Sequence, residues 1–523
     1  IDKNKNINKL NYFELTNKVN HFSNYLCQIT KNKTIKNVVI HSSANKISAI
    51  SMLSLSKLGI HFSVIFEDLP SNAIYERLRL INPEIIITKD ASKINFFKKY
   101  INKNKSLKKI LICSGKKINQ QSLFYYNFDK KEKKKKINYN HYESNNKLFT
   151  LFTSGSTGVP KGIQHSSAPY LIYSKYSSSN KFGMNKNSVV LTASDAGWIN
   201  GHTYSLFGPL SFGATTILVE SPFMLLDYLF LYKIIKKLKI TILYLPVTLL
   251  RLLKGVIPKS KKMLKHKLKA LGSMGEPLAA SIAEWYSLNF FRKKKAIVNT
   301  YFQTETGGII SSPNYDEIGG DTFGTVGTTL NKYMKYVKSK KNKFELELIN
   351  PWPGCMIDII NGNNYWKKYW RGRKFKLFDY GSFLRKNLVV HGRTDDVINI
   401  RGHRLGSGEV ESKILEIKEI IEVCAIAISD KIEGSSLVLF VVTSKTKQLE
   451  MVKNRIKDTI YEYFGTYALP KKIYFIKELP KTKSGKILRR VLRQVSINKK
   501  TKNLGDLSTI LNKQSIDNIK KII

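Results

Sequence analysis

Hydroxyls and glycines crowd the run Thr153-Ser154-Gly155-Ser156-Thr157-Gly158, and Lys161 follows Pro160. Glycines let backbone N–H groups approach an oxyanion, the hydroxyls add donors, and a single Lys supplies the point charge a polyphosphate needs. No G-K-[ST] closes the run, so it is not the Walker arrangement, and on its own it reads equally well as a flexible turn. A second stretch, Asn299–Gly308 (N-T-Y-F-Q-T-E-T-G-G), holds an amide, an aromatic ring, a hydroxyl and a carboxylate within a few residues. Thr304 and Glu305 suit a phosphate and a hard cation, and Gly307 and Gly308 imply close backbone approach. A third, Pro480–Arg490 (P-K-T-K-S-G-K-I-L-R-R), presents Lys486 behind a Ser-Gly turn in a basic tail.

These groups need a scaffold, and the apolar pattern supplies one. Leu148–Thr153 reads as a buried strand leading into the first run. Upstream, Val38–His41, Phe62–Phe66, Ile85–Thr88 and Ile110–Cys113 alternate with helix-length segments, Ser51–Leu58 among them, which predicts βαβ units and a parallel sheet. Downstream, Val189–Ala193 and Ala214–Val219 read as strands, and Leu226, Leu229, Phe230, Ile234 and Leu238 as a core-facing helical stripe. A strand Leu268–Leu271 leads to Gly272–Pro277, and a strand Ala296–Val298 delivers Asn299. Beyond Asp395 the pattern reads as a separate small α/β domain: a hairpin-like Val389–Arg401, a helix Gly408–Ile417, strands Cys424–Ile428 and Leu437–Val442, and a helix near Leu449–Phe464.

With 523 residues, 42% of them hydrophobic, the chain can bury large cores and form more than one domain. Cys27, Cys113, Cys355 and Cys424 lie far apart without a C-x-x-C, which argues against a zinc site or a disulfide framework and for a reducing compartment. The longest apolar candidate, Phe223–Leu231, contains Asp227 and stops short of Lys233, too short for a membrane span. No signal peptide is read, and the start at Ile1 rather than Met is expected of a fragment or shortened form. The formal charge of +50 would suit nucleic acid or an anionic surface. Its lysines are scattered, however, and only Lys130–Lys136 is a dense run, so the reading is a solvated basic surface without a specific nucleic-acid site.

Taken together with Gly392–Gly406 (G-R-T-D-D-V-I-N-I-R-G-H-R-L-G), these motifs resemble the AMP-forming acyl-CoA synthetases of the adenylate-forming superfamily, nearest the acetyl- and propionyl-CoA synthetases. The resemblance runs from about Asn11 to the tail Asn503–Leu511. It implies a large N-terminal adenylation domain of stacked α/β subdomains with parallel sheets (1–394) and a small mobile C-terminal α/β domain (395–523), hinged at Asp395. It further implies that a short carboxylate and ATP form acyl-AMP and pyrophosphate, and that CoA then expels AMP, in the cytoplasm and away from membranes. ATP, CoA and Mg²⁺ would be the cofactors.

By the same resemblance, Thr153 to Gly158 and Lys161 cradle phosphates, and Gly275, Glu276 and Pro277 border adenine and ribose. Asn299 would accept from the adenine amino group, Tyr301 would stack on the base, and Thr300 and Gln303 would also contact the nucleotide. Asp379 and Arg393, fourteen residues apart, would hold the ribose. Thr304 and Lys486 would serve catalysis, Glu305 both catalysis and Mg²⁺, and Gly402 and Arg404 the CoA step. Trp198, Ile199, Asn200, Met274 and Phe302 would line the acyl pocket. Phe378 stands where most of the superfamily has Gly, as in propionyl-CoA synthetases. Glu67 and Asp68 replace paired glycines near the CoA adenine, Arg401 replaces a small residue, and Tyr461 stands where an Arg is expected. Those departures leave open a ligase for another small carboxylate, or a degenerate synthetase with impaired CoA binding.

Overall fold

The computed structural model describes the chain except residues 32, 68, 70, 90, 104–108, 113–122, 130–141, 154–159, 259–265, 330–333, 339–343, 361–362, 395–396, 401–402, 431–433, 483–484, 500, 502–503, 505–506 and 508–509. It divides into two compact units. One comprises Ile1–Met224, Phe302–Ile309 and Trp352–Lys368, the other Leu225–Tyr301, Ile310–Pro351 and Tyr369–Ile523. The Asn299–Gly308 motif is therefore split, with Asn299 to Tyr301 in the second unit and Phe302 onward in the first.

The first unit is built on an eight-stranded sheet in the order Asp358–Ile360, Lys161–Ser166, Lys147–Thr153, His61–Ile65, Asn37–His41, Ile85–Thr88, Lys109–Ile112 and Leu123–Tyr125. From Lys147–Thr153 to Leu123–Tyr125 the neighbours run parallel, as the βαβ alternation predicts. Lys161–Ser166 and Asp358–Ile360 add an antiparallel margin. Helices Tyr12–Ile29, Lys46–Lys57, Ser71–Ile81 and Ile94–Lys103 belong to the same unit. Because the sheet is covered on both faces, its central strands read as continuous apolar runs. Val38 and Ile40 enter one core cluster with Phe22, Phe62 and Phe149, while Val39 enters the opposite cluster with Phe66, Leu78 and Phe97. Helix Tyr12–Ile29 opens with a capping box in which Asn11 and Glu14 satisfy each other's backbone N–H groups.

In the second unit, Ile242–Pro246, Ala270–Met274 and Val298–Asn299 form parallel neighbours. An antiparallel sheet orders Met334–Lys338, Phe344–Leu348, Lys374–Leu384 and Trp370–Arg371, with Asn387–Arg393 also paired to Lys374–Leu384. Further along, Val397–Ile400 pairs with His403–Gly406, and Ile420–Asp430 and Gly434–Thr443 form a long hairpin that Lys472–Phe475 joins in parallel. Helices Ser407–Ile414 and Leu449–Phe464 match the expected segments closely.

Four expectations shift. The stripe expected from Leu226 to Leu238 does not all face the core: Leu229 is 62% exposed, and Leu231, Ile234 and Ile235 are the buried face of helix Tyr228–Lys237. Asp227 caps that helix through the Phe230 N–H, so Leu226 falls before it, in the turn Pro222–Leu226, and is not part of the helical face. The hairpin expected over Val389–Arg401 is two hairpins, because Asn387–Arg393 pairs back onto Lys374–Leu384 and Val397–Ile400 pairs forward. The strand expected at Leu268–Leu271 runs Ala270–Met274, so Gly272 to Met274 are ladder residues, and that at Ala296–Val298 is Val298–Asn299. No helix among the described residues is long and apolar enough to cross a membrane.

Candidate active site

Two sets of site residues, one in each unit, follow from local folding. In the first unit, Thr153 and Lys161 are opposite partners that end the antiparallel ladder of Lys147–Thr153 and Lys161–Ser166. The cradle residues Ser154, Gly155, Ser156, Thr157 and Gly158 lie outside the described residues. In sequence the run follows strand Lys147–Thr153 and precedes strand Lys161–Ser166.

The turn Gln303–Ile309 is held almost group by group. Thr306 Oγ1 accepts from the Gln303 N–H at 3.0 Å and donates to the Gln303 carbonyl at 2.9 Å. The carbonyls of Thr304, Glu305, Thr306, Gly307 and Ile309 accept from His165 Nε2 (2.8 Å), the Met356 N–H (2.8 Å), Trp352 Nε1 (3.0 Å), Thr203 Oγ1 (2.9 Å) and the Tyr173 hydroxyl (2.6 Å). The Ile309 N–H donates to the Tyr204 hydroxyl at 2.8 Å. Gly307 has φ +70°, and a Cβ there would sit 2.1 Å from the Gly354 carbonyl oxygen, so only glycine fits. Glu305 is 8% exposed within this frame.

Trp198, Ile199 and Asn200, expected to line the acyl pocket, open a short helix, Ile199–His202, with Trp198 at its N-cap. Phe302 packs against the cluster containing Ile199 and meets Tyr204 edge-on at 5.8 Å. The Trp198 ring lies 5.0 Å from Phe66. Asn200 Oδ1 is buried with no hydrogen-bond partner among the described residues. His202 is fully buried beside Phe62 and Phe149, and burial pushes its pKa down to about 3. Burial likewise holds His165 down at about 4, so both imidazoles are neutral. Glu67 accepts from the Ser43 hydroxyl at 3.0 Å; Asp68 lies outside the described residues.

In the second unit the Tyr301 hydroxyl donates to Asp379 Oδ2 at 2.7 Å, and Arg393 reaches Asp379 Oδ1 at 3.5 Å and the Leu377 carbonyl at 2.9 Å. Asp379 and Arg393 are direct cross-strand partners, which explains their spacing: they sit on opposite arms of one hairpin. Phe378 has φ +55°, and a register shift in the facing strand lies between Glu345 and Glu347. A left-handed backbone at this point turns Asp379, and a glycine would adopt it without strain. Asn299 is 3% exposed, accepting from the Ser273 hydroxyl at 3.0 Å and donating to the Thr325 carbonyl at 2.8 Å. Its carbonyl oxygen keeps one lone pair beyond that contact. Thr300 bonds the Ser273 carbonyl and the Tyr244 hydroxyl.

Met274 is buried at the strand end, and Gly275 (φ +92°) and Pro277 are exposed after it. Glu276 is engaged by Arg251 at 2.6 Å. Burial raises its pKa, but Arg251, Arg489 and Lys481 outweigh that and keep it below the ordinary carboxylate range. Lys486 is exposed. Its loop is closed by the Thr482–Lys486 backbone bond at 2.8 Å and docks through Thr248 Oγ1 to the Gly485 carbonyl (2.8 Å) and the Ile487 N–H to Glu276 (3.3 Å). The tail pins the stem, because Leu511 donates to the Lys481 carbonyl at 2.7 Å. Asp395, Gly402 and Arg401 lie outside the described residues. Arg404 lies on His403–Gly406, and Tyr461 is exposed on helix Leu449–Phe464.

His165, Trp352, Arg251 and Thr248 carry no sequence signal of their own, because each acts on a residue distant in sequence. The one local hint is that Lys161 and His165 lie four apart on one strand, on the same face.

The candidate site residues lie on two frames: the hairpin Lys147–Ser166 inside a mixed sheet, and a second hairpin that carries the Asp379–Arg393 pair. The chain belongs to the AMP-binding enzyme family, whose model matches residues 2–351, with the family's C-terminal domain matching 409–486. It is 31% identical over 553 residues to acetyl-coenzyme A synthetase 1 of Candida glabrata, covering 98% of this chain and 78% of that one. With acetyl-coenzyme A synthetase 1 of Saccharomyces cerevisiae it shares 32% over 525 residues, covering 90% and 71%. Among solved structures, the acetoacetyl-CoA synthetase from Streptomyces lividans superposes with a TM-score of 0.83 at 16% identity, covering 100% of this chain and 82% of that chain. An anthranilate CoA ligase in complex with anthranoyl-AMP gives 0.77 at 18%, covering 92% and 91%. At such identities these structures speak for the fold.

Proposed function

We propose that the protein activates acetate or propionate with ATP, forming acyl-AMP and pyrophosphate, and passes the acyl group to CoA with release of AMP. The observation that carries this reading is the braced turn Gln303–Ile309, which fixes a hydroxyl and a buried carboxylate in one geometry. Attack on a carboxylate must add a second negative charge beside the first; adenylation removes that obstacle by installing a leaving group. The catalytic need is to align two anions and neutralise the pentacovalent phosphorus. Thr304 donates to the α-phosphate, Lys161 and the hydroxyls of Thr153 to Thr157 hold the remaining oxygens, and Lys486 bridges carboxylate and phosphate. Asp379 and Arg393 hold the ribose, and Asn299, Tyr301 and Gly275 to Pro277 border the base.

Mg²⁺ fits the donor set. It is commonly held by one or two carboxylates plus substrate phosphates, and Glu305 is such a carboxylate, while no cluster of three or more potential ligands occurs among the described residues. It would supply charge neutralisation at the phosphates. Residues 395–523 are read as the mobile domain, pivoting at Asp395 so that Lys486 leaves and Gly402 with Arg404 enters for the CoA step. The dispersed cysteines, with Cys355 and Cys424 buried, suit the cytoplasm.

Chain length is set by Phe302. Where the resemblance places a Trp in acetyl-CoA synthetases, phenyl leaves room for another methylene, worth roughly 0.8 kcal/mol or about fourfold. Ile199 and Met274 take back part of that room, and acids beyond about four carbons are excluded. The test is kcat/KM for acetate, propionate, butyrate and hexanoate in the wild type and Phe302→Trp. Propionate use should fall relative to acetate in the variant. A wild-type preference for hexanoate would sink the assignment.

A further inference from the structure

Among the side chains bracing the turn, His165 bonds Thr304 itself, through Nε2 to its carbonyl at 2.8 Å. A carbonyl only accepts, so Nε2 carries the proton. The ring is fixed from the other sides by Phe149 at 5.1 Å and Tyr170 at 5.4 Å, and its Cε1 would lie 3.2 Å from a Cβ placed on Gly307. His165 shares its strand and face with Lys161, the lysine that ends the cradle ladder. One rigid strand thus references both the phosphate-holding lysine and the turn carrying Thr304 and Glu305.

We propose that His165 is a positioning residue for adenylation, keeping Thr304 and Glu305 in register with Lys161 around the triphosphate. The inference rests on the reading that Thr304 and Glu305 serve the phosphoryl step. Loss of the bond frees the Thr304 peptide to rotate, and a displacement of about 1 Å in such a group costs on the order of 100-fold in rate. Phenylalanine keeps the ring and removes the donor, while glutamine offers an N–H at a comparable reach.

The experiment compares His165→Phe and His165→Gln in acid-dependent ATP–pyrophosphate exchange and in thioester formation from synthetic acetyl-AMP and CoA. It also measures the Mg²⁺-dependent part of the affinity for α,β-methylene-ATP by calorimetry. His165→Phe should lower kcat for exchange roughly 10- to 100-fold, the usual range for a group orienting a ligand from outside the first layer. It should also lose the Mg²⁺ increment and leave the second half-reaction within about threefold. His165→Gln should restore most of the exchange and the increment. Equal losses in both half-reactions, an unaffected His165→Phe, or a His165→Gln no better than His165→Phe would each overturn the proposal. Thr304→Val and Glu305→Gln serve as controls: if they leave exchange intact, the reading of the turn fails first, whereas if they abolish it and His165→Phe does not, only the His165 inference fails.

Discussion

The turn Gln303–Ile309 and the loop carrying Lys486 would both serve the same phosphoryl step, yet they are built in opposite ways. Five carbonyls and an N–H of the turn are bonded by groups from the surrounding unit, and its central Gly307 admits no side chain. The Lys486 loop closes on itself and docks through one threonine hydroxyl and one glutamate, with the lysine exposed. On the proposed mechanism the difference has a physical reason: a group that would stay at the developing charge is overdetermined, whereas a group that would leave before the second chemistry is attached by contacts worth about 1 kcal/mol each.

Three substitutions press on that contrast. Lys486→Ala should cost on the order of 3–4 kcal/mol in the adenylation barrier, as for a lost preorganised charge. Its exposed position predicts an unchanged Tm, and thioester formation from synthetic acyl-AMP should survive; equal losses in both half-reactions would end the division of labour. Gly307→Ala should instead act on stability, by about 2–3 kcal/mol, through left-handed backbone strain and overlap with the Gly354 carbonyl. Thermal unfolding reads this, and an unshifted Tm would mean that the turn is soft. The smallest effect is expected of Thr248→Val, which removes the hydroxyl bonding Gly485. A loss of roughly 0.5–1.5 kcal/mol, at most about tenfold, should appear in adenylation alone; a loss also seen with acyl-AMP and CoA would show that the bond serves the fold rather than the docked loop.

Much of the scaffold is legible in the sequence because its signals are local. Ile85–Thr88 and Leu148–Thr153 declare themselves by apolar runs, and Leu449–Phe464 by its period. Asp379 and Arg393 are legible too, since a hairpin converts a fixed spacing into a cross-strand contact. The Leu229 stripe misleads because Leu226 lies before the helix that Asp227 caps, and because Leu231 and Ile235, which the stripe omits, share the buried face with Ile234. His165 and Thr304 are 139 residues apart, and Arg251 and Glu276 belong to different elements, so only tertiary packing joins them. Phe378 hides a left-handed position that glycine would have announced.

The central claim is that the braced turn and the exposed lysine serve acid activation by AMP transfer. Its most direct test is exchange of radiolabelled pyrophosphate into ATP by the purified chain in the absence of CoA. The account predicts exchange that requires acetate or propionate together with Mg²⁺ and is abolished by Glu305→Gln. ATP turnover indifferent to either acid, or no exchange with any short carboxylate, would contradict it.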